Sequence, residues 1–383
     1  ATGTWYLFAR ADGGDTVAEV NEANNVSSRT VRIGPDVQVP TFSVPTSAGA
    51  GDTISVTVVT QNSGGGAAGA STTQVYLSAD WILSGDDTLL ATRAIASLAP
   101  GGSDSAALSV TLPAGLAGGT HYLIAVADGG NTVAETQEGN NATYRSVLVG
   151  SDLQVSSFTV PATGGAGLAL ALMETTRNSG AGTAPASTTT YYLSTDPALD
   201  ASDVVLGSHA VPALGPGATD TASVTVTLPA STATGTYYVF AKADSGGVVP
   251  EIYENNNATS RAVTIGPDMG MASLVAPASV AGGGSFLVTD TTRNSGGGAA
   301  APSTTRYLLS TNGVPDAGDV VLGVRAVGTL GPGTTETGSV TLAIPAGTAP
   351  GSYYVLAVAD AEGAVAETNE ANNFANRSIT VTP

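Results

Sequence analysis

Apolar and polar residues alternate along this chain in short runs, each broken by Gly, Pro, Ser or Asn. Within residues 152–267 the runs fall at 152–160, closed by Pro161, and at 168–173, where Leu168, Leu170 and Leu172 share one face. Further runs follow at 188–193, 204–211, 221–228 (closed by Pro229), 237–243 and 259–265. A period of two is that of a strand with one face buried, and turn residues at such regular spacing are the pattern of an all-β sandwich. Helical periodicity is nearly absent. Seven antiparallel strands in a segment of this length predict an immunoglobulin-like or fibronectin-like seven-stranded β-sandwich.

The same pattern then recurs in strict register. Asp12, Asp128, Asp244 and Asp360 are spaced by 116 residues, as are Asn25, Asn141, Asn257 and Asn373, and Pro100, Pro216 and Pro332. So long a period marks a whole domain copied head to tail, not a solenoid of short stacked units. The expected organisation is a C-terminal part of one repeat, its last two strands, over 1–35, then complete repeats over 36–151, 152–267 and 268–383. Opening inside a repeat suits a section of a longer chain. The 1–35 hairpin carries Trp5, Leu7 and Val31 and needs a partner to pack on, its own missing strands or another chain's. Junctions as short as Ile265-Gly-Pro-Asp268 restrict hinge motion, so successive copies are expected to be related by one repeated rotation and translation.

Composition narrows the function. Thirty-one acidic residues against 12 basic ones give a net charge of −19, and Lys242 is the sole lysine. No basic patch exists to meet phosphates, so no nucleic-acid partner is expected. There is no cysteine, hence no disulfide and no thiolate chemistry. No apolar run approaches the length of a membrane span, and no membrane insertion is expected of this segment. The two histidines fall out by register. His121 stands where Trp5, Tyr237 and Tyr353 stand in the other copies, and His209, where Arg93 and Arg325 stand, is expected at the surface. Neither supports a Ser-His-Asp arrangement, and no enzyme activity is expected.

Each repeat ends in a recognisable string: WYLFARADGGDTVAEVNEANN, HYLIAVADGGNTVAETQEGNN, YYVFAKADSGGVVPEIYENNN and YYVLAVADAEGAVAETNEANN. With YLSTDPALDASDVVLG upstream, these strings resemble the CARDB family, the cell-adhesion-related domain found in bacteria. The resemblance spans the whole chain. It implies an immunoglobulin-like fold and a secreted or cell-surface, adhesive or structural setting, without implying a ligand.

Two groups of oxygen-bearing side chains are candidates for calcium. The first is the connection before the last strand: Asp128, Glu135, Glu138, Asn140 and Asn141 in one copy, Asp244, Glu251, Glu254 and Asn257 in the next. Carboxylates and amides gathered in one connection are the ligands a hard cation takes. The alternative is structural: left-handed Asn residues, Asp128 capping the Gly turn and Glu135 accepting backbone hydrogen bonds. The second group is the loop after the third strand, with Asp80 and Asp87, then Asp196, Asp200 and Asp203, then Asp316 and Asp319. Its spacing is not that of an EF-hand, and Asp is an ordinary turn former. Head-to-tail stacking is expected to bring Asp80 and Asp87 near Asp152, Glu251 or Glu254 of the next copy. Glu174 and Asp290, where the first copy has Val58, are expected at the rim of the core, paired with Arg177 and Arg293.

The expected function is a structural repeat segment of a long extracellular fibre, stalk or adhesin shaft, rigidified by cations. Its partners would be further repeats and like subunits in a filament, with a host or matrix surface as ligand. The alternatives are a multivalent binder of carbohydrate or surface protein, and an accessory region of a large secreted enzyme.

Overall fold

The computed structural model describes residues 1–383 and is built of strands, with a single short 3-10 turn at Glu22–Asn24. No helix is long and apolar enough to cross a membrane.

In the second repeat the strands are Leu153–Thr159, Thr163–Gly164, Ala169–Asn178, Ser187–Ser194, Val204–Val211, Thr219–Thr227, Gly235–Lys242 and Ala258–Ile265. The first, third and sixth form a three-stranded antiparallel sheet. The others form a five-stranded sheet in the order second, eighth, seventh, fourth, fifth. The flanking repeats have the same two sheets. The seven longer strands fall on the alternating runs of the sequence. The additional strand, Thr163–Gly164, pairs in parallel with the last strand over two residues, too short to leave a pattern.

Alternation places one row of each sheet in the core. In the middle copy Leu170, Leu172, Val226 and Leu228 face Tyr191, Leu193, Val239, Val263 and Ile265, with Phe158 stacked on Tyr191. Leu168 precedes its strand and is 43% exposed, so the inward row begins at Leu170. Each of these large side chains contributes roughly 1.5–3 kcal/mol when fully buried. Separate clusters of 18, 11 and 11 buried residues serve the three copies, so each has its own core.

The first 35 residues fold as a two-stranded hairpin, Gly3–Arg10 with Val26–Ile33, pairing Trp5 with Val31. Trp5, Leu7 and Val31 are 48%, 70% and 42% exposed. Val239 and Val263, the register equivalents of Leu7 and Val31 in the middle copy, are 0% and 1% exposed, so the hairpin has the inward face of a sandwich without a facing sheet.

The polar core residues depart from expectation. Glu174 and Asp290 are 1% and 0% exposed, deep in the sandwich and not at its rim. Asp290 pairs with Arg325 at 2.7 Å, not with Arg293, and accepts from Tyr307 at 2.5 Å. Residues three apart on a strand point to opposite faces, which excludes Arg177 and Arg293 as partners. His209 is partly buried and bonded to Asp220 at 2.6 Å rather than lying free at the surface.

The joints are short but not alike. Between the second and third copies the backbone of Gly297 lies so close on that of Gly164 that a Cβ there would overlap it. Between the first and second, Ala181 occupies the register of Gly297 and cannot make that approach. There Gly118 packs instead on the carbonyl of Glu251, beside a cleft of about 680 Å³ lined by Gly49, Ala50 and Ala181. The contacts therefore do not follow one repeated operation.

Candidate functional site

The connection between the last two strands is fixed from its first residue. Asp128, Asp244 and Asp360 adopt left-handed backbone angles, with φ of 43°, 40° and 41°. Asp is one of the few residues besides Gly to do so at low cost, because its short side chain bonds locally. Asp244 accepts from Val248 N at 3.2 Å and Val249 N at 2.9 Å, and Asp128 accepts from Thr132 Oγ1 and Val133 N. These aspartates hold the turn. The paired asparagines are not in left-handed conformations.

Once turned, the connection sends a glutamate inward to the head of its own sandwich. Glu135 accepts from Val37 N at 2.5 Å, Glu251 from Leu153 N at 2.8 Å and Glu367 from Met269 N at 2.9 Å. The carboxylates of Glu138 and Glu254 accept the backbone N–H of Glu135 and Glu251, closing the loop from outside. Asn141 and Asn257 donate to Glu135 and Glu251, while Asn140, Asn256 and Asn372 donate to Asp36, Asp152 and Asp268. The connection is thus clasped onto the first strand in every copy. With their amides engaged, Asn141 and Asn257 are poor glycosylation acceptors despite their Asn-Ala-Thr context.

Sequence reasoning missed a third member of this head. Asn62, Asn178 and Asn294 were legible only as turn residues, yet each is 0% exposed. Asn178 donates to Gly182 O, Leu214 O and Gly215 O and accepts from Asp152 N and Gly180 N. Recurrence at the 116-residue register was the available signal.

Burial pushes the carboxyls of Glu135, Glu251 and Glu367 up to about 7, against the opposing pull of their hydrogen bonds. Neighbouring carboxylates act in the same direction as burial. A group whose folded pKa exceeds its unfolded value of 4.5 stabilises fully below 4.5, and loses that contribution as pH rises through 7. In chelating buffer, melting is therefore expected at a higher temperature at about pH 5.5 than at about pH 8, by on the order of 1 kcal/mol per clasp. Gln at all three positions should flatten the profile. A higher melting temperature at the alkaline end would contradict the assignment.

The acidic loops are arranged differently. Asp80 accepts from Ile82 N, Asp87 from Ser84 N, Asp196 from Ala198 N and Asp200 from Ser202 N. Asp203 accepts from Asp200 N, Asp316 from Gly318 N and Asp319 from Asp316 N. Each carboxylate bonds backbone within its own loop, and hydrogen bonds hold the carboxyls of Asp200 and Asp316 below the usual carboxylate range. No cluster of three or more His, Asp or Glu suited to a metal occurs in the chain. No hydrogen bond or ion pair joins Asp80 or Asp87 to the next copy; the neighbour that meets Glu251 is Gly118.

The CARDB family model matches residues 34–145, 150–261 and 266–377. Among solved structures, the crystal structure of a CARDB domain from Pyrococcus furiosus, described as in complex with di-metal ions, is 22% identical. It covers 30% of this chain and 90% of its own, at a TM-score of 0.25. A solution structure of the same domain is 26% identical over 30% of this chain and 96% of its own, also at 0.25. A red sea bream transglutaminase is 11% identical over 60% of this chain and 31% of its own, at 0.33. No curated protein matches.

Proposed function

Because the chain belongs to the CARDB family, which matches it in three successive copies, we propose that it is a spacing segment of an extracellular fibre, stalk or adhesin shaft. The observation that carries this reading is the lack of slack between self-sufficient cores. The last strand of one copy ends at Val149 or Ile265, and the next copy begins its first strand at Leu153 or Met269. The intervening peptide is tied down: Gly182 N donates to Gly150 O at 2.8 Å, and Gly298 N to Gly266 O at 2.9 Å. Modules joined in this way transmit bending and tension between cores instead of dissipating them in a linker. A repeated sugar-binding platform has less support. Trp81 lies tilted against Tyr144, with ring centroids 5.9 Å apart, but Pro197 and Gly313 replace Trp81 in the other copies.

Small-angle scattering tests the reading. The chain is expected to be elongated, with a narrow distribution of lengths. Gly297→Ala should open the joint between the second and third copies and change the maximum dimension. A compact or freely hinged wild-type profile would defeat the proposal, and an unchanged profile for G297A would show that the Gly–Gly contact does not set the joint.

A further inference from the structure

One core position is filled in three different ways. On the third strand of each complete copy the first has Val58, the second Glu174 and the third Asp290. The facing sheet supplies Val75, Tyr191 and Tyr307 from one strand and Arg93, His209 and Arg325 from its neighbour. In the third copy Arg325 Nε and Nη2 donate to the two oxygens of Asp290 at 2.9 and 2.7 Å, and Tyr307 donates as well. Arg325 Nη1 also reaches Glu336 at 2.6 Å. That buried anion has a permanent cation, and the first copy, with Val58, needs none.

The second copy keeps the acid and loses the cation. Glu174 is 1% exposed and accepts a single hydrogen bond, from Thr176 Oγ1 at 3.1 Å. Its Oε1 has no partner, and neither has the hydroxyl of the fully buried Tyr191. His209, at the register of Arg325, bonds Asp220 at 2.6 Å and leaves Glu174 unmet. An imidazole is charged only when protonated, whereas a guanidinium always is. The titratable groups that face Glu174 are Tyr191 on the fourth strand, His209 on the fifth and Asp220 on the sixth. The first strand presents only Phe158 there, and Arg261 on the last strand is exposed and donates to Ser260 O. Burial above all, with Asp220, pushes the Glu174 carboxyl up, against the pull of Thr176, His209 and Tyr191. Burial and the neighbouring Glu174 keep the Tyr191 hydroxyl protonated, so Tyr191 is not the group that titrates.

We propose that the middle copy is a pH-gated weak link of the array, held shut while Glu174 carries a proton and loosened once Glu174 ionises beside an uncharged His209. A protonated carboxyl is donor as well as acceptor, so it and the Tyr191 hydroxyl can satisfy one another. The ionised carboxylate is a buried charge without a cation, and opening of the sandwich returns it to water. Glu174 therefore stabilises the copy fully below its unfolded value of 4.5, and that contribution is lost as pH rises through its higher folded value. Loss of the proton from His209 acts in the same direction, because it removes the only positive charge on the strands facing Glu174. The device is read from one core and stands apart from the shaft reading; within a shaft it would set which module yields first.

Amide hydrogen exchange of the full chain at about pH 5.5 and about pH 8, corrected for the intrinsic rates, tests the device. The clasps of Glu135, Glu251 and Glu367 act in all three copies alike, so the outer copies are internal controls. One proton bound differently by the open and closed states changes the opening equilibrium by at most about tenfold per pH unit. Between the two conditions residues 153–265 are expected to lose protection by at least about threefold more than residues 37–149 and 269–382. Glu174→Gln, which has the shape of the protonated acid, and His209→Arg, which restores a permanent cation, should each remove the excess. A middle copy that tracks its neighbours in the unaltered chain overturns the proposal. So does an excess that either folded variant keeps. Should E174Q not fold, H209R decides, since it retains Glu174 and supplies the partner that Asp290 has.

Discussion

Replacing Asn178 with Ala should unfold the middle sandwich while the outer two remain folded. The side chain is 0% exposed and makes five hydrogen bonds, three as donor and two as acceptor. Ala leaves Gly182 O, Asp152 N and Gly180 N without this partner, whereas Leu214 O keeps Ala184 N at 2.9 Å. Each loss costs about 1–3 kcal/mol where relaxation is poor, so a total of about 5 kcal/mol is a modest expectation. That is comparable to the whole stability of a small domain, which lies around 5–15 kcal/mol. Asp is no remedy, because it cannot donate to the carbonyls and buries a charge. The core clusters of the copies are separate, so the damage should stay local. Hydrogen exchange read by peptide should show protection lost across residues 153–265 and kept across 37–149 and 269–382. Loss of less than about 1 kcal/mol would mean that the head of the sandwich is not held by this residue.

The contrast between what alternation revealed and what it concealed has a physical basis. A strand buried on one face writes its period into the sequence, which is why the run at 168–173 falls on Ala169–Asn178, where exposed and buried residues alternate. The identity of a polar residue's partner is not written locally. Asn178 reads as a turn former because its partners lie up to 37 residues away, on two other connections. Glu174 and Asp290 show by parity that they point inward, but parity does not give depth. Alternation also forbids the pairing with Arg177 and Arg293, since an odd separation along a strand reverses the face. At the clasp, the string of Asp, Glu and Asn marks the place, while the division of labour needed coordinates: Asp128 holds the turn, Glu135 reaches the first strand, and the paired amides are left with unspent oxygens.

The second large effect concerns the buried ion pair of the third copy. Arg325→Leu should cost about 3–5 kcal/mol, because it leaves Asp290, 0% exposed, with an uncompensated charge. Tyr307 still donates to Asp290 at 2.5 Å, which is too little for a carboxylate with no route to solvent. Asp290→Val should be milder. Arg325 keeps Glu336 at 2.6 Å and is itself 12% exposed, so its charge finds both a partner and water. The first copy shows that the arrangement is optional: Val58 and Val75 stand at the registers of Asp290 and Tyr307, while Arg93 keeps Asp104 at 2.6 Å. Acid and Tyr occur together in the second and third copies and are absent together from the first, but only in the third does the hydroxyl bond the carboxylate, since the Tyr191 hydroxyl and Glu174 Oε1 have no partner. The two variants also differ in pH response. In R325L the buried negative charge is left without its cation, and acid that neutralises it should restore stability as pH falls. In D290V no such group remains, and the deficit should not recover. Chemical denaturation followed by exchange in residues 269–382, at two pH values, separates these cases. Equal losses for both variants, or a deficit in R325L that acid does not relieve, would show that Asp290 is not held as an anion by Arg325.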